Sequence, residues 1–139
     1  MKLSKSKVFV VQDGRCPESG QKCEFKISTE KINWLHKYGP DDKFYNLQNV
    51  PFAVNHPHAI FKGLEREGHE TSYCYVARPV RRFINDTLSE PVRAGLVFVV
   101  FVSSNLEIFN WRFEKACGDG KFPENHQARF AKLIWENNP

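Results

Sequence analysis

Long apolar runs are missing from this chain of 139 residues. The stretch from Gly95 to Val102 is far short of the roughly 20 residues a membrane span needs. The basic start, Met1 to Lys7, is followed only by Val8 to Val11 as an apolar stretch. A secretory leader wants about 7–15 apolar residues there, so no signal peptide is expected and the cytoplasm is the expected compartment. Phosphate-cradling and hydrolytic signatures are missing too. There is no Walker-type glycine-rich loop, no Gly-x-Gly-x-x-Gly, no Gly-x-Ser-x-Gly elbow and no His-Glu-x-x-His. Most cofactor-dependent enzyme classes lose ground on that count, and no cofactor is expected.

Cysteine is sparse, at four residues: Cys16, Cys23, Cys74 and Cys117. Structural zinc favours close pairs spaced by two to four residues, usually two such pairs. Cys16 and Cys23 are more loosely spaced than that, and the other two are far apart, so no metal site is expected. In a reducing compartment free thiols are favoured over a Cys16–Cys23 bridge. Cys74 sits inside an apolar strand pattern and reads as a small core residue.

What is present is ordinary globular material. Hydrophobic residues make up 41% and charged residues 26%, which excludes wholesale disorder. Phenylalanine is abundant, at 12 residues, and supplies a dense core. The length fits one domain. The net charge is +4, with the basic excess in the first 50 residues. That mild balance is compatible with an anionic partner such as RNA without demanding one.

Residues 1–27 read as an N-terminal extension, with Val8 to Val11 and Phe25 to Ile27 as a hairpin-like pair around a turn-rich loop. Residues 28–139 read as a single domain. Thr29 to Tyr38 is the first helix, capped by Ser28 or Thr29, with Ile32 and Leu35 on its apolar side and Gly39-Pro40 as the stop. A broken helical region is expected from about Leu47 to Glu67, interrupted by Pro51 and Pro57. The period then changes. Thr71 to Arg78 alternates as a strand. Leu96 to Val102 is apolar on both faces and reads as a central strand. Leu106 to Lys115 follows a tight turn and must run antiparallel to it. Pro123 to Trp135 reads as a closing helix, with Phe130, Leu133 and Ile134 on its apolar face. The expected architecture is therefore α+β: N-terminal helices, an antiparallel sheet of three to four strands, and a C-terminal helix.

Along Glu107 to Lys115, strand alternation places Phe109, Trp111 and Phe113 on one face and Asn110, Arg112 and Glu114 on the other. The aromatic trio is expected to face the core. An amide, a guanidinium and a carboxylate in a row then form a surface able to handle phosphate: Arg112 offers a forked donor, and Glu114 can act as a base if its neighbours raise its pKa. The plainer reading is an inert, solvated sheet face. His56 reads as a polar surface or cap residue. His36 and His126 fit solvated helix faces, and Arg78-Pro-Val-Arg-Arg82 fits a solvated loop able to meet an anionic backbone.

The order Trp34-Leu-His36, Val50-Pro-Phe-Ala-Val-Asn-His-Pro-His-Ala-Ile-Phe61, a strand ending in Arg78-Pro79, Leu96 to Val102, and a strand bearing Trp111-Arg112 resembles the phage-borne and polymorphic-toxin members of the barnase–EndoU–colicin–RelE superfamily of small metal-independent nucleases. The resemblance covers roughly residues 28–135. It implies two helices before a four-stranded antiparallel sheet and an RNA substrate cleaved by transesterification. It makes His36, Arg112, Glu114 and Arg129 the candidate catalytic residues, with Arg129 or Arg78 joining Arg112 as the phosphate clamp; Arg78 and, from the polar face of its strand, Asn110 are the candidate substrate contacts. Tyr73 and Tyr75 are candidate base-stacking residues that also read as core. A cognate inhibitor protein is the other partner it implies, and no membrane is involved. The competing reading is a non-enzymatic binding module, either a catalytically inactive relative or a phage or mobile-element protein that binds a protein partner through an exposed sheet edge.

Overall fold

The computed structural model describes residues 8–39, 46–63, 71–78, 83–84, 87–88, 96–116, 123 and 132–137. Its first element is a hairpin of β1 (Val8–Arg15) and β2 (Lys22–Ser28). Val11 pairs with Phe25 but Gly14 pairs with Cys23, so Gln12 and Asp13 together face Glu24 as a bulge. Asp13 takes φ 60 there, a left-handed conformation that aspartate tolerates better than most residues. Gly14 is required for a different reason. A Cβ at that position would lie 2.5 Å from the Phe25 ring.

Two helices follow, α1 (Thr29–Tyr38) and α2 (Val50–Asn55), with a 3-10 turn over Asn46–Asn49 leading into α2. The Ser28 hydroxyl accepts the Lys31 N–H and caps α1, and Ile32 and Leu35 are its buried apolar pair. Pro51 sits in the first turn of α2, where a missing N–H is no loss. Pro57 follows its end.

The main sheet has five strands in the order β8-β7-β4-β3-β9, all antiparallel. They are β3 (Ala59–Lys62), β4 (Ser72–Ala77), β7 (Leu96–Ser103), β8 (Ile108–Lys115) and β9 (Lys132–Glu136). A small separate ladder joins β5 (Phe83–Ile84) to β6 (Thr87–Leu88). The front of the sheet carries Ile60, Tyr73, Tyr75, Phe98, Val100, Val102, Ile108 and Trp111, which cluster with hairpin and helix residues such as Phe25, Ile27, Ile32, Leu35 and Val54. The rear carries Phe61, Cys74, Val76, Val97, Val99 and Phe101 in a second buried cluster.

The fold class therefore differs from the α+β arrangement expected from sequence. The molecule is mostly β. A helix does occupy Thr29–Tyr38, but among the described residues α-helix contributes only this element and the short α2. Where a helical turn was expected after Pro57, the chain runs as β3. Ala59, Ile60 and Phe61 are buried on alternating faces between β4 and β9. The described end of the expected closing helix is strand instead: Lys132–Glu136 pairs with β3 as an edge strand, and the Asn137 N–H donates to the His58 carbonyl at 2.9 Å. Short apolar runs fit either period, and the open edge of β3 decides for strand. Residues 124–131 of that expected helix lie outside the described residues.

The central position of β7, between β4 and β8 and buried on both faces, agrees with its uniformly apolar sequence. Among the described residues no helix is long and apolar enough to cross a membrane.

Candidate functional site at the hairpin mouth

The expected polar face of β8 is built differently from its alternation pattern. Val102 pairs with Ile108 but Phe101 pairs with Asn110, so Phe109 is an extra residue in a bulge. Ile108 and Trp111 are both fully buried on the front, whereas Phe109 is 41% exposed. The aromatic trio thus splits. Trp111 and Phe113 face inward, with the Phe113 ring packed edge-on against Phe98 at 5.1 Å. Phe109 does not.

Arg112 and Glu114 lie opposite Val99 and Val97, and Asn110 lies opposite Phe101, so they belong to the rear side of the sheet. That side is not an open polar surface. Arg112 lays its guanidinium 4.8 Å from the centre of the Phe101 ring and donates its Nε–H to Glu114 Oε1 at 2.6 Å. Each group thus spends its charge on the other, and both are partly buried. Asn110 turns its carbonyl oxygen to the Trp111 amide.

The other candidates are scattered. His36 is exposed on α1, whose buried residues pack on the front cluster, so the sheet stands between it and Arg112. Tyr73 and Tyr75 are buried at 7% and 0% exposure in that front core and are not available to stack a base. Arg78 is exposed just beyond β4. Arg129 lies outside the described residues, as does Cys117.

A different set of side chains does converge. Asp13 and Arg15 from the end of β1, Gly20 from the hairpin turn, Lys22 from β2, Asn55, His56 and Pro57 from the end of α2, and Trp135 and Asn137 from β9 line one cleft of about 280 Å³. That is just below the roughly 300–1,000 Å³ usual for ligand sites. Three parts of the chain meet here because the bulge at Asp13 turns the end of β1, Pro57 ends α2, and β9 pairs back onto β3.

Arg15 organises the cleft. Its guanidinium carbon lies 4.0 Å from the centre of the Trp135 ring, a cation–π contact. Its Nη1 donates to the Gly20 carbonyl at 3.5 Å. Gly20 has φ +76, which favours glycine, and its missing Cβ leaves room for Arg15 Nη2, which would lie 2.7 Å from it. The Arg15 carbonyl accepts the Tyr75 O–H at 2.5 Å. Burial, reinforced by the neighbouring Cys23 and Cys16, pushes the Tyr75 phenol far above its ordinary pKa, so it stays a donor.

Two polar atoms of the lining residues are left over. Arg15 Nε and Asn55 Oδ1 are buried and have no hydrogen-bond partner among the described residues. One is a donor and the other an acceptor. His56 is exposed at the end of α2, its ring 5.3 Å from that of Phe52, and its N–H donates to the Phe52 carbonyl.

Sequence reasoning placed His56 as a surface or cap residue and did not single out Arg15, Asn55 or Trp135. Asp13-Gly14 is a turn signal that could have marked the bulge. Nothing local marks Trp135, which becomes a cleft wall only through the pairing of β9 with β3. Among the described residues no group of three or more His, Cys, Asp or Glu side chains is placed to hold a metal ion. Comparison with known protein families, curated proteins and solved structures found no match to this chain.

Proposed function

We propose that this protein is a non-enzymatic binding module whose hairpin-mouth cleft holds an unpaired nucleotide of single-stranded RNA. One observation carries the reading: the cations Arg15 and Lys22 stand with the amides of Asn55 and Asn137 in a cleft walled by Trp135. The edge of an exposed base offers both an acceptor and a donor. The Arg15 guanidinium, which lies over the Trp135 ring, offers a plane for the base, and Arg15 and Lys22 offer positive charge for the phosphate. The net charge of +4 acts in the same direction.

Cleavage by the residues first expected is disfavoured by their positions. Transesterification needs a base and a cationic clamp around one phosphate. His36 stands on the front side, and Arg112 stands on the rear, tied to Glu114.

The test is an unstructured, end-labelled RNA titrated with the full chain in EDTA, read by anisotropy and by denaturing gel. The expected result is saturable, salt-sensitive binding with intact RNA. Arg15→Lys and Trp135→Ala should each weaken it about tenfold, the scale of one lost stacking contact, and Arg112→Ala should leave it unchanged. Absence of saturable binding would refute the reading. RNA scission that disappears in His56→Ala would replace the module with a nuclease using this cleft.

A further inference from the structure

We propose that Cys16 and Cys23 form a thiol–disulfide modification site at the mouth of the β1–β2 hairpin, oxidised by a low-molecular-weight disulfide such as oxidised glutathione. The inference does not depend on what the cleft binds.

The hairpin register places the two residues on one face. Gly14 pairs with Cys23 and Arg15 with Lys22, and the Cys16 N–H donates to the Gln21 carbonyl at 2.7 Å. Side chains alternate along each strand, so positions 14, 16, 21 and 23 share a side. Gly14 has no side chain, and the Phe25 ring fills the place its Cβ would take. Cys23 is thus the diagonal neighbour of Cys16 on this face, and each thiol acts on the other's pKa. Both cysteines are reduced and only partly buried.

Their surroundings divide the chemistry between them. The Cys16 sulfur sits in the turn against the Ser19 hydroxyl and the backbone of Ser19 and Glu18, and these hydrogen bonds hold its pKa below the usual thiol value. Cys23 packs against the front core. Burial, with the adjacent Cys16 adding to it, pushes its pKa up to about 11. Cys16 is therefore the attacking thiol and Cys23 the resolving one.

The Cys16 thiolate attacks one sulfur of the oxidant, whose S–S bond breaks and releases a glutathione thiolate. That thiolate takes up the Cys23 proton. The Cys23 thiolate then attacks the Cys16 sulfur, forms the Cys16–Cys23 bond and expels the second glutathione. The two protein thiols lose two electrons, and one oxidised glutathione becomes two reduced molecules. Diagonal neighbours in a regular ladder lie roughly 7–8 Å apart between Cα atoms, while a disulfide prefers about 5.5–6 Å. Closing the bond therefore tightens the hairpin mouth beside Arg15.

The experiment treats the full chain with oxidised glutathione, quenches with acid, alkylates and maps peptides by mass. In the native protein Cys16 and Cys23 should become cross-linked to each other. Cys23→Ser should stop at one glutathione on Cys16. Cys16→Ser should acquire glutathione at Cys23 about tenfold more slowly. At neutral pH the thiolate fractions differ by about a hundredfold or more, and the lower nucleophilicity of the more acidic thiol returns roughly half of that logarithm. The wild-type map needs no variant, so an unstable variant does not blunt the test. Recovery of both cysteines fully alkylated, a bridge to another cysteine, or equal rates in the two variants would overturn the proposal.

Discussion

Replacing Tyr75 by Phe isolates the bond that ties the sheet to the cleft. The ring is fully buried, edge-on to Phe25 at 5.5 Å, and its hydroxyl reaches the Arg15 carbonyl. Tyr75→Phe keeps the ring and removes only the donor. A net hydrogen bond contributes about 0.5–1.5 kcal/mol, so the variant should be about 1 kcal/mol less stable at neutral pH. The alkaline limb makes the prediction sharper. In the unfolded chain the phenol ionises near its ordinary pKa of about 10. In the folded chain burial holds that pKa far higher. Above pH 10 the unfolded state therefore binds fewer protons than the native state, and the linkage relation makes wild-type stability fall as pH rises, by up to about 1.4 kcal/mol per pH unit. Phenylalanine has no such loss. All other titrating groups are common to both proteins, so the difference between them isolates this one phenol. The two stabilities should cross within about one pH unit above 10, and the variant should be the more stable beyond that point. Urea unfolding followed by circular dichroism from pH 7 to about 11 measures it. A difference that stays constant across that range would show that Tyr75 is not a sealed, protonated donor.

The bulge in β8 makes a second contrast. Trp111→Ala should cost about 3–5 kcal/mol, whereas Phe109→Ala, on the exposed extra residue, should stay within about 0.5 kcal/mol of wild type. Equal losses by thermal or urea unfolding would place both rings in the core. The Arg112–Glu114 pair is partly exposed, and exposed pairs contribute about 0.2–1 kcal/mol. A double-mutant cycle with Arg112→Ala and Glu114→Ala should return a coupling in that range, and a coupling near zero would show that the contact at 2.6 Å does not hold in solution.

What the residues disclosed, and what they hid, follows from the range of the forces involved. β7 was legible because its own sequence is apolar at every position, which only a central strand satisfies. β4, the antiparallel turn into β8 and the Ser28 cap of α1 are likewise set by neighbours within a few residues. The run Lys132–Glu136 is not. Leu133, Ile134 and Trp135 suit a helix face as well as a strand, and the choice is made by β3, some seventy positions earlier in the chain, whose edge offers unpaired carbonyls and amides. The same long-range term turns Ala59–Lys62 from a helical turn into a strand, since those residues are already committed on both sides.

The bulge at Phe109 is a subtler case. Alternation reads correctly from Asn110 onward and fails one residue before, because an inserted residue shifts the phase without changing the composition. The polar side of β8 was therefore identified by residue type but not by surroundings. Its guanidinium and carboxylate meet each other over an aromatic ring instead of facing solvent as a pair of free groups. The cleft lies at the far limit of legibility. Its parts come from β1, α2 and β9, and no pattern within any one of them requires Arg15 to stack on Trp135. What the sequence does carry is the permission for that contact: a glycine at position 20 with room for a guanidinium, and a glycine at 14 that lets the strand close on Phe25.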